Sequence, residues 1–131
     1  MEGDMKSGSC LCGAVSYTFM GALRPSMTYH CTQCRTTSGL YWSAMQVLTD
    51  KFTVTKDDGL KWYRSSNTAQ RGFCSECGSL MFLQLDKEDT TYIATGTMDG
   101  STGLKTELHI FVADKGDYYD IEDGVEQVAQ Y

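Results

Sequence analysis

Six cysteines fall in three tight pairs, Cys10-Leu11-Cys12, Cys31-Thr32-Gln33-Cys34 and Cys74-Ser75-Glu76-Cys77, and none lies outside them. A tetrahedral zinc ion takes four thiolate or imidazole ligands, and two thiolates this close in sequence can turn toward one ion, so two pairs close one site. Disulfides in a small secreted protein gain most when each bridge closes a long loop, and cysteines spaced this tightly gain little from bonding within a pair. The pattern therefore predicts zinc. Glycine follows two of the pairs, as Gly13 after Cys12 and Gly78 after Cys77. A positive φ there lets backbone amides face the sulfurs. Three pairings of the cysteine pairs remain open on spacing alone.

The rest of the composition narrows the setting. A chain of 131 residues is expected to form one domain, residues 1–131, burying roughly two thirds of its unfolded surface. With 41% hydrophobic and 21% charged residues it reads as a globular protein with a substantial core. No apolar run approaches the roughly 20 residues of a membrane span, so no membrane partner is expected. Glu2 and Asp4 sit where a secretory leader would be apolar, which predicts a cytoplasmic protein with reduced, metal-competent thiols. A net charge of -6 and a pI near 4.7 argue against nucleic acid, since phosphate binding relies on clustered Lys and Arg.

Period-two patterns recur and helical stripes are nearly absent, which predicts a mainly β fold. Val15, Tyr17 and Phe19 alternate with Ser16 and Thr18. The run from Leu40 to Leu48 reads as a buried strand, and Phe52 to Thr55 and Leu60 to Tyr63 read as a meander around an Asp57 to Gly59 turn. Three further strands are expected over Ser79 to Leu85, Thr91 to Thr97 and Glu107 to Val112. One helical turn is expected near Cys34 to Thr37, and Pro25 in a loop. Trp42, Trp62 and Phe73 read as core aromatics.

Four blocks carry a resemblance. They are Gly8-Ser9-Cys10-Leu11-Cys12-Gly13-Ala14-Val15; His30-Cys31-Thr32-Gln33-Cys34-Arg35 with Ser38-Gly39; Arg71-Gly72-Phe73-Cys74-Ser75-Glu76-Cys77-Gly78-Ser79; and Gly96, Asp99, His109 and Ile110, closed by Lys115 to Asp123. In this order they resemble the glutathione-dependent formaldehyde-activating enzyme family, which also includes centromere protein V, from about Gly8 to Gly124. The resemblance implies a zinc β-tent of packed, mostly antiparallel sheets with little helix. It implies a structural zinc on Cys10, Cys12, Cys74 and Cys77, a closed site with no open position for chemistry. It also implies a catalytic zinc on three cysteines of a Cys-His-Cys-x-x-Cys segment, where the thiol of glutathione adds to formaldehyde to give S-hydroxymethylglutathione.

At that second site this sequence departs from the pattern. Tyr29 stands in place of the first cysteine, leaving Cys31 and Cys34 as the two thiolates for a second zinc and as the candidate catalytic residues. A phenol with an ordinary pKa of about 10 is a hard, poor zinc donor, so weak or absent metal binding is expected. His30 is expected to face away from the ion if Tyr29 to Cys31 is extended, and His109 is a second candidate from another strand; for both, a surface or hydrogen-bonded histidine is the first reading and metal ligation the alternative. Arg35, Ser38, Arg71 and Asp99 are candidate pocket residues for glutathione or another small thiol. Each also has a structural reading: thiolate charge balance for the arginines, a cap for Ser38, a turn for Asp99. Three functions follow: a zinc-dependent carbon-sulfur lyase, a non-catalytic zinc-stabilised module that has lost the catalytic ion, and a Cys31/Cys34 redox dithiol.

Overall fold

The computed structural model describes residues 5–21 and 24–131. Glu2 and Asp4, which informed the leader argument, lie outside the described residues. The chain folds into two packed sheets, and all but one of the strand pairings are antiparallel. A three-stranded sheet joins β1 (Lys6–Ser9), β2 (Val15–Phe19) and β5 (Phe52–Asp57) in the order β1-β2-β5. A seven-stranded sheet contains β3 (Ser26–Tyr29), β4 (Trp42–Leu48), β6 (Leu60–Arg64), β7 (Ala69–Cys74), β8 (Leu80–Leu85), β9 (Thr90–Ala94) and β10 (Thr106–Ile110). Its order is β10-β3-β4-β9-β8-β7-β6.

The alternation read at Val15, Tyr17 and Phe19 places all three in the layer between the sheets. There they meet Met45 and Val47 of β4, Met81 and Phe82 of β8, and Ile93 of β9. The central strands of the large sheet also bury their other face. Trp42, Ala44, Leu83, Tyr92 and Ala94 form a second apolar cluster with Tyr29 and Ile110. That second face is covered by α1 (Thr32–Ser38) and by the segment that follows β10, whose Val112 and Ala113 amides donate to the carbonyls of Val128 and Ala129. With both faces packed, β4 and β8 bury neighbouring residues that point to opposite faces, as at Ala44 and Met45 and at Met81 to Leu83.

The expected meander over Phe52 to Tyr63 is not present. β5 pairs with β2 and β6 pairs with β7, so the Asp57 to Gly59 turn carries the chain from one sheet to the other. Gly59 sits there against the third cysteine pair: a Cβ at this position would lie 2.8 Å from Cys74 Sγ. The turn's amide and carbonyl bond Ala14 and Ser75 instead of closing a hairpin. The parallel pairing is β10 with β3, which sets His109 beside Thr28 and Ile110 beside Tyr29.

Candidate metal centre and dithiol pocket

The first and third cysteine pairs occupy two similar knuckles. In one, the Gly13 amide donates to the Cys10 carbonyl across the turn between β1 and β2. In the other, the Gly78 amide donates to the Cys74 carbonyl after β7. Both glycines have φ of 81°, the left-handed conformation that the sequence predicts. The knuckles bring the sulfurs of Cys10, Cys12, Cys74 and Cys77 within 4.8 Å of one another. Cys10 and Cys12 Sγ are 3.7 Å apart, and Cys12 and Cys74 Sγ 3.8 Å. Zinc-sulfur bonds of about 2.3 Å in a tetrahedron require edges of about 3.8 Å. The four thiols therefore fit a tetrahedral ion and could hold one. The Val15 amide donates to Cys10 Sγ at 3.3 Å, and the Ser79 hydroxyl lies 3.2 Å from Cys77 Sγ, so donors already face the thiolates. Because β1 and β2 belong to the small sheet and β7 to the large one, the cluster joins the two sheets.

The middle pair is built differently. Cys31 caps α1, its sulfur accepting the Cys34 amide, and Cys34 is buried one turn later. The two sulfurs are 2.8 Å apart and share a hydrogen bond, far closer than two ligands of one tetrahedral ion. Cys31 Sγ donates to Cys34 Sγ in that bond, and bonding to Cys31 and burial push the Cys34 pKa up, so one proton is held between the two sulfurs. The bond between the sulfurs pulls Cys31 down to about 6, assisted by the Cys34 amide and by Arg71. Arg71 Nη2 reaches Cys34 Sγ at 3.4 Å while its guanidinium lies 5.9 Å from the Trp42 ring centre. The pair is thus poised as a monoanion beside a buried cation.

Among the described residues, no third His, Cys, Asp or Glu joins Cys31 and Cys34 in a metal-sized group. Tyr29 is buried against Trp42 and Tyr92, and burial drives its phenol pKa far up, away from any metal-binding phenolate. His30 faces away, as the extended backbone requires. His109 does not reach the pair either. The two imidazoles face each other instead, His30 Nε2 and His109 Nδ1 3.0 Å apart, with Thr28 bonded to both rings. Tyr119 closes one end on His30 Nδ1, and Asp123 closes the other on His109 Nε2 at 3.0 Å. The donor set does not fit a second zinc.

This buried histidine pair makes the fold acid-sensitive. Burial first, then His109 and Lys115, lower His30 to about 4 from an ordinary value near 6.5. A histidine depressed in the folded state contributes stability that is fully present above about pH 6.5 and is lost as pH falls toward 4. The His30 share of the stability lost between pH 7 and pH 5 in urea unfolding is expected to be about 2 kcal/mol, on top of the share of the depressed Cys31 thiol. His30→Gln should remove that share of the slope; an unchanged slope would contradict this assignment.

Of the other candidates, Arg71 alone meets the dithiol. The Ser38 hydroxyl donates to the Cys34 and Tyr41 carbonyls at the end of α1, a structural role. Asp99 accepts from the Ser7 hydroxyl at 2.8 Å on the other sheet, away from the pair. Arg35 bonds Cys31 through its backbone amide, and its side chain makes no hydrogen bond to a sulfur among the described residues. Cys31, Cys34, Arg71 and Tyr29 line one pocket of about 490 Å³ whose remaining walls include Leu83, Tyr92, Ile110 and Phe111. Thr28 carried no local sequence signal, and Tyr119 and Asp123 were marked only as part of the Lys115 to Asp123 block of the resemblance.

A β protein with a four-cysteine cluster between two knuckles and a separate dithiol pocket defines the class. The sequence model of the glutathione-dependent formaldehyde-activating enzyme family matches residues 5–114, and the chain belongs to that family. It is 27% identical over 114 residues to an uncharacterized lyase of Schizosaccharomyces pombe, an alignment covering 86% of this chain and 82% of that one. A crystal structure of a Rhodobacter sphaeroides protein shares the fold, with a TM-score of 0.62 and 22% identity over 74% of this chain and 91% of that one. Among the described residues, no helix is long and apolar enough to cross a membrane.

Proposed function

We propose that this protein is a carbon-sulfur lyase in which Cys10, Cys12, Cys74 and Cys77 hold one structural zinc. The Cys31/Cys34 dithiol then works, without a second ion, on a thiol-aldehyde adduct such as S-hydroxymethylglutathione. The observation that carries the reading is the dithiol itself, set beside buried Arg71 in a 490 Å³ pocket. Family membership and the yeast relative, a protein named as a lyase, agree with it. The structural zinc would supply folding energy and no chemistry.

In the cleavage direction, the dithiol monoanion accepts the proton of the adduct hydroxyl. The oxygen-hydrogen electron pair forms the carbonyl, and the carbon-sulfur bond breaks with its pair leaving on sulfur. The Arg71 guanidinium offsets the charge of the departing thiolate, which then takes the proton back from the dithiol, so no net proton is consumed. Cleavage of S-hydroxymethylglutathione faster than its spontaneous rate is expected, with Cys31→Ser lowering turnover by roughly 100-fold or more at unchanged melting temperature. Spontaneous-rate breakdown of S-hydroxymethylglutathione and of the adducts of longer aldehydes alike, with zinc-replete protein, would remove this reading.

The 2.8 Å sulfur contact favours a second reading, a redox dithiol. Cys31 attacks glutathione disulfide, releases one glutathione, and Cys34 displaces the second; two thiols are oxidised to a disulfide as one disulfide is reduced to two thiols. Reversible loss of two titratable thiols in glutathione disulfide, without adduct cleavage, would select it. Inertness in both assays would leave a zinc-stabilised module without catalysis.

A further inference from the structure

Resting on the lyase reading, the identity of the adduct can be taken further from the pocket walls. Tyr29 and Arg71 are each only 5% exposed. Yet Tyr29 Oη and the Nε and Nη1 atoms of Arg71 are buried with no hydrogen-bond partner. Buried donors are almost always satisfied, because an unpaired one forfeits its hydration with nothing in return. Three such atoms belong to two residues that line one pocket, next to the reactive sulfurs; closed from solvent in the free protein, they are donors that an acceptor in the pocket reaches when those side chains turn toward it.

The rest of the pocket describes the other end of that molecule. Leu83 and Tyr92 are 7% exposed and Ile110 is fully buried, and with Phe111 they form an apolar wall. A one-carbon aldehyde touches almost none of it. The two ionisable side chains at the rim, Glu88 and Asp114, are both acidic, so among the lining residues Arg71 is the one cation. The whole chain adds a net charge of -6. A tripeptide thiol with two carboxylates against one ammonium is net negative, so it meets repulsion from the acidic mouth and finds one cation inside for two carboxylates.

We infer that this pocket selects an adduct whose aldehyde half is an uncharged alkyl or aryl aldehyde of several carbons, its oxygen accepting from the unpaired donors of Tyr29 and Arg71, in preference to formaldehyde. The thiol half is a small thiol without glutathione's two carboxylates. Tyr29, which occupies the position of a zinc ligand in the family pattern, is then a specificity residue that donates to the substrate oxygen.

The test uses unreactive carbonyl compounds, so that binding is read apart from turnover. Hexanamide, formamide and glutathione are titrated into full-length, zinc-loaded protein labelled at its Leu and Ile methyl groups and followed by NMR. Hexanamide is expected to bind at least roughly 100-fold tighter than formamide, with shifts at Leu83 and Ile110, because several methylenes leave water. It should also bind tighter than glutathione. Tyr29→Phe should weaken hexanamide roughly tenfold while the melting temperature stays level or rises, since the hydroxyl removed has no partner in the free protein. A purely structural tyrosine would not separate the two readouts. Equal affinity for hexanamide and formamide, or tighter binding of glutathione, would overturn the inference; unchanged hexanamide affinity in Tyr29→Phe would overturn the role given to Tyr29. Cleavage of S-hydroxymethylglutathione by a protein with no hexanamide preference sinks the inference alone. Hexanamide binding without cleavage of any adduct, its hexanal adduct included, sinks the lyase reading.

Discussion

Cys74→Ser is expected to release the structural zinc and lower stability by at least about 5 kcal/mol, comparable with the whole stability of a domain this size. The sulfur is fully buried and lies against the turn that moves the chain between sheets, where Gly59 leaves room for it. Losing it leaves three thiolates that carry charge without an ion to bind tightly, and it frees the Cys10 to Gly13 knuckle from the Cys74 to Gly78 knuckle. The small sheet then has to pack on the large one through the Val15, Tyr17 and Phe19 layer alone. Calorimetry should show a large fall in melting temperature, and strong chelation of the parent protein should reproduce it. Cys34→Ser is the matched control, expected to lose far less than Cys74→Ser because Cys34, though buried, lies in no metal-sized cluster. Parent-like melting of Cys74→Ser would contradict the structural role.

The second large effect reverses a substitution already present. Tyr29→Cys would restore a third thiol beside Cys31 and Cys34, on the strand end that faces the pocket. Soft thiolate replaces a phenol whose burial holds it protonated, so zinc content is expected to rise from one to two ions per chain. The cost is the packing of the Tyr29 ring on Trp42 and Tyr92, which should lower stability by about 2–4 kcal/mol in metal-free buffer. Equal zinc content in both proteins would show that something other than the missing thiol keeps the second site empty of metal.

Much of this was legible in the chain. The first and third cysteine pairs, each closed by glycine, specified two knuckles with positive φ because sulfur spacing and a missing Cβ are local facts. The alternation at Val15, Tyr17 and Phe19 was equally local, and it pointed the right side chains into the layer between the sheets. The orientation of His30 followed from strand geometry. What failed was pairing at a distance. Phe52 to Thr55 and Leu60 to Tyr63 looked like neighbours across a turn, yet each found its partner elsewhere, since hydrophobic period marks a strand and not its mate. His109 was visible on an alternating strand, but only the parallel register of β10 on β3 sets it against His30. Ser26 to Tyr29 is too short and too polar to announce a strand by pattern. Arg71 was nameable as a candidate, while its unpaired nitrogens depend on the whole pocket around it.

The central claim is that one ion sits among Cys10, Cys12, Cys74 and Cys77 and none at Cys31 and Cys34. Zinc-edge X-ray absorption on freshly purified protein, with metal quantified on the same sample, tests it most directly. One zinc per chain with four sulfur neighbours at about 2.3 Å is expected. Two ions per chain, a first shell containing nitrogen or oxygen, or no zinc with those cysteines oxidised, would contradict it.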